Sequence, residues 1–277
     1  MSAEGTRTIL DEVQASLALR YGAAFDTLRV ERLVIGIHFV GVKLSNGEGG
    51  VAYMPPDLIQ RDSNRILKKQ HFRVKGALAS LISAGDLEHP FAPVIRLATL
   101  NALSAPFIQR QDYLSTPSED ITTFRFLFEN RRVCLVGAII PILKRIRPWV
   151  SQITIIDRKK ETEVEADGIR FVPTEGTQAA LGDCDTVVIT GAAVANGSIS
   201  ELLTMIPEKT FVALAGPSAG FIPDPLFERG VSLVGTSVVS DIDQALDILS
   251  EGGGAYQLFG RGVHKINLIN PAAIEFR

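Results

Sequence analysis

The apolar positions of this chain change their period near its middle. Over residues 6–21, TRTILDEVQASLALRY, the residues Ile9, Val13, Leu17 and Leu19 recur at a roughly helical spacing, which predicts a helix ended by Gly22. Asp11 and Glu12 fall in its early turns, where carboxylates suit the helix dipole. The rhythm then alternates. Leu33, Ile35, Ile37 and Phe39, with Val30 before and Val42 after, predict a strand, and His38 is expected inside it as a sheet residue. SNGEGG follows as a turn in which Asn46-Gly47 supplies positive φ, and VAYM (51–54) is the return strand. RVKGALASLISAG (73–85) and PFAPVIRLATLNALSAPF (90–107) read as helices, the second anchored by Val94, Leu97, Leu100 and Leu103. A hairpin with helices grouped beside it predicts an α+β module.

The polar stretch 108–120, IQRQDYLSTPSED, is the expected linker, and it divides the chain into domains 1–118 and 119–277. Beyond it the apolar runs become nearly continuous. RRVCLVG (131–137), QITIIDR (152–158), CDTVVITG (184–191), EKTFVALAGPS (208–218), GVSLVGTSV (230–238) and HKINLI (264–269) read as strands. Helices are expected between them, at AIIPILKRI, from Ser198, and from Ser240 through DIDQALDILSEG. Alternating strands and helices predict a mostly parallel, doubly wound, Rossmann-like sheet, so the fold class is α/β with an N-terminal α+β domain.

Ligands of such sheets bind beyond the carboxyl ends of the strands. The residues that follow each strand are therefore the candidates: Gly137, Asp157, Thr190 and Gly191, Gly216, Pro217 and Ser218, and Gly235 to Ser237. Small residues and hydroxyls recur at this one edge, and glycine lets a ligand approach the backbone. Ser198 and Glu201 form a candidate capping box, SISE, which gives Ser198 a structural role at a helix start. Asn196 just before it is the side chain expected to reach a ligand.

A dinucleotide site is tested at the same edge. Asp157 lies twenty residues after Gly137, the spacing of a ribose-binding acid. The first turn, however, is G-A-I-I-P. Ile139 and Ile140 obstruct a pyrophosphate and Pro141 lacks an N–H, which argues against ordinary NAD-dependent hydride transfer.

Composition narrows the function classes. The formal net charge of −3 lacks the basic excess of a nucleic-acid-binding domain, and the 46% hydrophobic content supports a large core. The basic run at 61–75, with Arg61, Arg65, Lys68, Lys69, Arg73 and Lys75, reads as a solvated face or as a contact for an anionic ligand or partner. LVGAIIPILK is too short to span a membrane, and MSAEGTRTILDEV carries acid where a secretory leader would be apolar, so a cytoplasmic protein without a membrane partner is expected. Cys134 and Cys184 each sit at an apolar strand and read as buried thiols. With His38, His71, His89 and His264 dispersed and no C-x₂-C or H-E-x-x-H motif, a tetrahedral zinc site is not expected. Asp157 and Glu48 are the carboxylates left for oxygen coordination. No serine or threonine at the edge has a histidine assigned to it, and Glu161/Glu165 and Asp243/Asp247 read as solvated pairs.

Four stretches carry a family resemblance: VGAIIP, VVITGAAVANGSISELL, ALAGPSAGFIPDPLFERGVSLVG and the late GGG. Together they resemble the DUF364 family, named for a proposed heavy-metal chelation. GIHFVGVKLSNGEGGVAY and RLATLNALSAP resemble its usual N-terminal partner, DUF4213. The resemblance implies an enolase N-terminal-like domain before a Rossmann-like one, meeting at an interdomain cleft. It places Asn101, Gly137, Pro141, Thr190, Asn196, Gly216, Pro217 and Ser218 at that cleft. The run VGAIIP departs from relatives that read like VGHFP, and the histidine is lost. The expected protein is a small-ligand binder that handles a divalent or heavy metal or its chelate. The second reading is an enzyme acting on an anionic or nucleotide-like molecule, and the third a structural or interaction protein. A homodimer fits the commonest form of soluble oligomer.

Overall fold

A computed structural model describes residues 7–66, 73–110, 112–117, 120–157 and 168–274. Their contacts divide into two compact units. The first draws on Met1–Tyr113, Pro217–Pro225 and Ser237–His264, and the second on Leu114–Gly216, Leu226–Thr236 and Lys265–Arg277.

In the first unit the opening helix is Ile9–Tyr21, started by a Thr8–Asp11 capping box and ended by Gly22 at φ 56°. Ile9, Val13 and Leu17 are buried, whereas Leu19 is 85% exposed, because it lies off the face that repeats every four residues. The long alternating run is two strands rather than one: β1 (Val30–Ile35) and β2 (Phe39–Leu44), followed by β3 (Gly49–Tyr53), all antiparallel in the order β1-β2-β3. Gly36 makes the break. Its N–H donates to the Phe39 carbonyl at 2.9 Å, and a Cβ there would lie 2.9 Å from the Leu249 carbonyl oxygen. Ile37 and His38 therefore stand exposed at a hairpin tip, and His38 is not a residue within the sheet.

The helix Ala92–Gln109 is the centre of this unit. Every residue from Val94 to Ile108 except Arg96 is buried. The helix expected over 73–85 contracts to Ala79–Ala84, because Gly76 takes φ 86° and residues 76–77 hydrogen-bond along Val30 instead. Lys68 and Lys69 of the basic run, with His71 and the Glu161/Glu165 pair, lie outside the described residues; Arg61 is paired with Asp62. The expected solvated acids Asp243 and Asp247 are exposed but bonded to Lys43 and Arg32 at 2.8 Å each.

The second unit is built on an eight-stranded sheet. Its strands are β4 (Ser115–Pro117), β5 (Arg132–Val136), β6 (Gln152–Ile156), β7 (Ile169–Val172), β8 (Thr186–Thr190), β9 (Phe211–Ala215), β10 (Leu233–Val239) and β11 (Val263–Ile269). The order is β4-β11-β10-β9-β8-β5-β6-β7, with β10 through β7 parallel and β4 antiparallel to β11. Counted from β5, the six parallel strands run 3-2-1-4-5-6, the doubly wound dinucleotide-fold order. One face of the sheet carries a core of Val133, Leu135, Ile153, Ile155 and Val188 under Ile142, Leu143 and Ile146 of the helix Ile140–Ile146. β4 lies within the stretch expected as a linker, and its pairing with β11 gives that polar segment its order. β7, with burial only at Val172, carried no alternating signal.

Candidate functional site

The strand order of the parallel sheet reverses between β5 and β8, and there the two strand ends touch. Gly137 follows β5 at φ 85°, and a Cβ on it would lie 2.6 Å from Thr190 Cγ2. The Gly137 N–H donates to the Ile156 carbonyl at 2.8 Å, and the next N–H, Ala138, donates to Asp157 Oδ2 at 3.0 Å. One step along, the Gly191 N–H donates to the Ala215 carbonyl at 2.7 Å. Gly216 stands at φ 139°, and a Cβ on it would be 3.3 Å from the Gly191 nitrogen. These glycines are therefore required first by backbone packing between neighbouring strand ends. Gly137, Ala138, Asp157, Thr190 and Gly216 are all half-buried, so the edge they form remains partly open to solvent. Pro141 is exposed in the first turn of the helix that follows.

Asn196 is exposed at the end of the short helix Ala192–Ala195. Its Oδ1 accepts from the Ser198 N–H at 3.1 Å and from the Ser198 hydroxyl at 2.8 Å, forming a local Asx turn. This corrects the SISE expectation: Ser198 precedes the helix Ile199–Thr204 in an αR conformation and makes no side-chain cap.

Asn101, Pro217 and Ser218 form a separate group within the first unit. Asn101 is 4% exposed, and its Nδ2 donates to the Val51 carbonyl at 2.8 Å and to the Pro217 carbonyl at 3.2 Å. The Ser218 hydroxyl, fully buried, accepts from the Tyr53 N–H at 2.9 Å. The Asn101 amide thus fastens the helix Ala92–Gln109 to β3 and to the segment after Gly216. Asn101 Oδ1 and Ser237 Oγ have no partner among the described residues, and both residues line a cavity with about 10 Å³ of room, enough for a single water. Ser237 was among the strand-end candidates, whereas the buried Asn267, whose amide also lacks a partner among the described residues, was not singled out from sequence. The one signal was a polar residue within an apolar strand run, which has no partner visible in sequence.

The donor set at the carboxyl edge does not suit a bare heavy metal. Soft cations take thiolate and imidazole ligands, and among the described residues this edge offers glycines, a threonine and a carboxylate, Asp157, already bonded to Ala138. Among the described residues no three His, Cys, Asp or Glu side chains are grouped to hold a metal ion. Burial holds the Glu48 carboxyl above its ordinary value. Cys134 and Cys184 lie away from this edge. The neighbouring Cys184 thiol, with burial, pushes the Cys134 thiol up, and Cys134 in turn draws the Cys184 thiol down.

The DUF364 family model matches residues 120–268, and the DUF4213 model matches residues 19–104; both are described as "Putative heavy-metal chelation". A DUF364-family protein of unknown function from Pyrococcus horikoshii superposes with a TM-score of 0.72 at 16% identity, covering 95% of this chain and 100% of its own. A second, from Desulfitobacterium hafniense DCB-2, gives 0.67 at 18% identity, covering 94% and 98%. These likenesses establish the fold. No curated protein matches the chain. No described helix is long and apolar enough to cross a membrane. With its second half matched over more than half of the whole length, the chain belongs to the DUF364 family.

Proposed function

We propose that the chain binds a small ligand over the carboxyl ends of β5, β8 and β9, and that a heavy metal handled there arrives inside an organic chelate. The observation that carries this reading is the reversal of strand order at the touching ends of β5 and β8. In open parallel sheets that is where ligands bind. Gly137, Ala138, Thr190 and Gly216 give a half-buried, sterically small edge with hydroxyl and backbone polar groups. Such an edge recognises the oxygen and nitrogen atoms of an organic ligand, and the absence of thiols and imidazoles among its described residues disfavours a naked soft cation. The family description supplies the metal, and the chelate reconciles that metal with these residues. The Asp157–Ala138 bond disfavours a dinucleotide, because it engages the amide of the first turn that a pyrophosphate would approach.

Native mass spectrometry of gently purified, tag-free protein tests this. The expected spectrum carries a reproducible extra mass, larger than a single ion and lost on denaturation. Ala138→Trp, which fills the edge, is expected to remove that mass while the chain keeps its thermal transition. A wild-type chain without an adduct, or an adduct that survives Ala138→Trp, contradicts the proposal.

A further inference from the structure

We propose that Asn101, Ser237 and the Val51 backbone hold one buried water molecule as a permanent part of the first unit. Asn101 is 4% exposed and Ser237 7% exposed, and both line the cavity described above, with Val51, Ala105 and Gly220 beside them. All of these residues belong to the first unit.

The orientation of the Asn101 amide is fixed by what it touches. Its Nδ2 reaches two carbonyl oxygens, those of Val51 and Pro217. A flipped amide would set its oxygen against both, so the nitrogen must face them and Oδ1 must face the other way. Oδ1 therefore needs a donor, and among the described residues it has none. The Ser237 hydroxyl is in the same position, buried and without a partner. A buried polar atom left unpaired carries its full desolvation penalty, whereas a water that bridges two such atoms relieves both.

The strand register supplies a third group. The Leu44 N–H donates to the Glu48 carbonyl and the Met54 N–H to the His38 carbonyl, so the even-numbered residues at β3 turn their backbone groups toward β2. The odd-numbered residues turn theirs away. The Tyr53 N–H donates to the Ser218 hydroxyl, and the Val51 carbonyl accepts from Asn101. The Val51 N–H lies on that same side. A water at this point donates to Asn101 Oδ1, accepts from the Val51 N–H and exchanges a bond with the Ser237 hydroxyl. Three partners is the usual number for a buried water, and room of about 10 Å³ admits one molecule and nothing larger. A metal cation suits the place less well, because it requires oxygen donors all round and the Val51 N–H presents a hydrogen. The water joins the helix Ala92–Gln109 to β3 and to the end of β10, and it gives Asn101 Oδ1 a partner other than a ligand. The inference does not depend on the ligand reading at the carboxyl ends of β5, β8 and β9.

Two measurements on the full chain test it. A high-resolution crystal structure is expected to show one water within hydrogen-bond distance of Asn101 Oδ1, Ser237 Oγ and the Val51 nitrogen. In solution, ¹⁵N-edited NOESY and ROESY spectra are expected to give the Val51 amide a cross-peak at the water frequency, with the sign of a long-lived contact. Ser237→Ala removes the hydroxyl as a source of that signal and leaves the water two partners, so the cross-peak is expected to persist. The same variant is expected to lower the folding equilibrium constant roughly three- to tenfold, the loss of one hydrogen bond. An unoccupied cavity in the crystal, a direct Ser237–Asn101 bond, or an ion with oxygen neighbours alone overturns the proposal. So does a missing Val51 cross-peak, its loss in Ser237→Ala, or a Ser237→Ala chain as stable as the wild type.

Discussion

Gly50→Ala is expected to destabilise the first unit severely. A Cβ at Gly50 would lie 2.2 Å from the Ala98 carbonyl oxygen, 2.3 Å from the Ala102 nitrogen and 2.9 Å from the Asn101 carbonyl carbon. All three are backbone atoms of the buried helix Ala92–Gln109, so no side chain can rotate out of the way. Relief requires the helix to move off β3, and that would open the packing of the unit's central element. A cost of about 3–5 kcal/mol is expected, at the severe end of point mutations. For a chain of this size that lowers the melting temperature by on the order of 10 °C. Gly47→Ala is the control. Gly47 has φ 86° but nothing within 4 Å of a Cβ, so only backbone strain of about 1 kcal/mol is expected. Thermal melts of the two variants check this; equal losses would mean that the close approach at Gly50 is not what holds β3 to the helix.

Asn101→Ala is expected to cost about 2–4 kcal/mol. The substitution leaves the Val51 and Pro217 carbonyls without the amide that reaches both. Asn101→Asp should do no better, since a carboxylate offers no donor and faces two carbonyl oxygens. Urea titrations, read as a fall in midpoint at constant slope, measure both. The result bears on function. Asn101 has its amide nitrogen committed to the fold, and its Oδ1 faces a water-sized cavity. Loss of ligand in Asn101→Ala is therefore expected to follow loss of stability. A fully stable Asn101→Ala chain would instead leave the amide available for a ligand.

The part of the fold most legible in sequence was the parallel sheet. Strands such as CLV at 134–136 and TVVIT at 186–190 are buried on both faces, so they appear as continuous apolar runs ending in glycine or hydroxyl residues. The same logic located Gly137, Thr190 and Gly216 at one edge, where the structure gathers them. Other features depended on information that a local pattern does not hold. The alternation from Val30 to Val42 continues through the Gly36–His38 turn, and a period of two does not register a three-residue break. Asn101 and Ser218 were chosen as cleft residues, yet their hydrogen-bond partners lie 50 to 165 positions away in sequence. Ser198 matched a capping box, but Asn196 two residues earlier took its hydroxyl.

The central claim is that the ligand site lies at the carboxyl ends of β5, β8 and β9. It is tested most directly by comparing amide NMR spectra of the ¹⁵N-labelled protein as purified and after its ligand has been stripped by unfolding and refolding. The account predicts that the resonances that change cluster at Gly137, Ala138, Thr190 to Ala192 and Gly216. Identical spectra, or changes confined to residues remote from that edge, would contradict it.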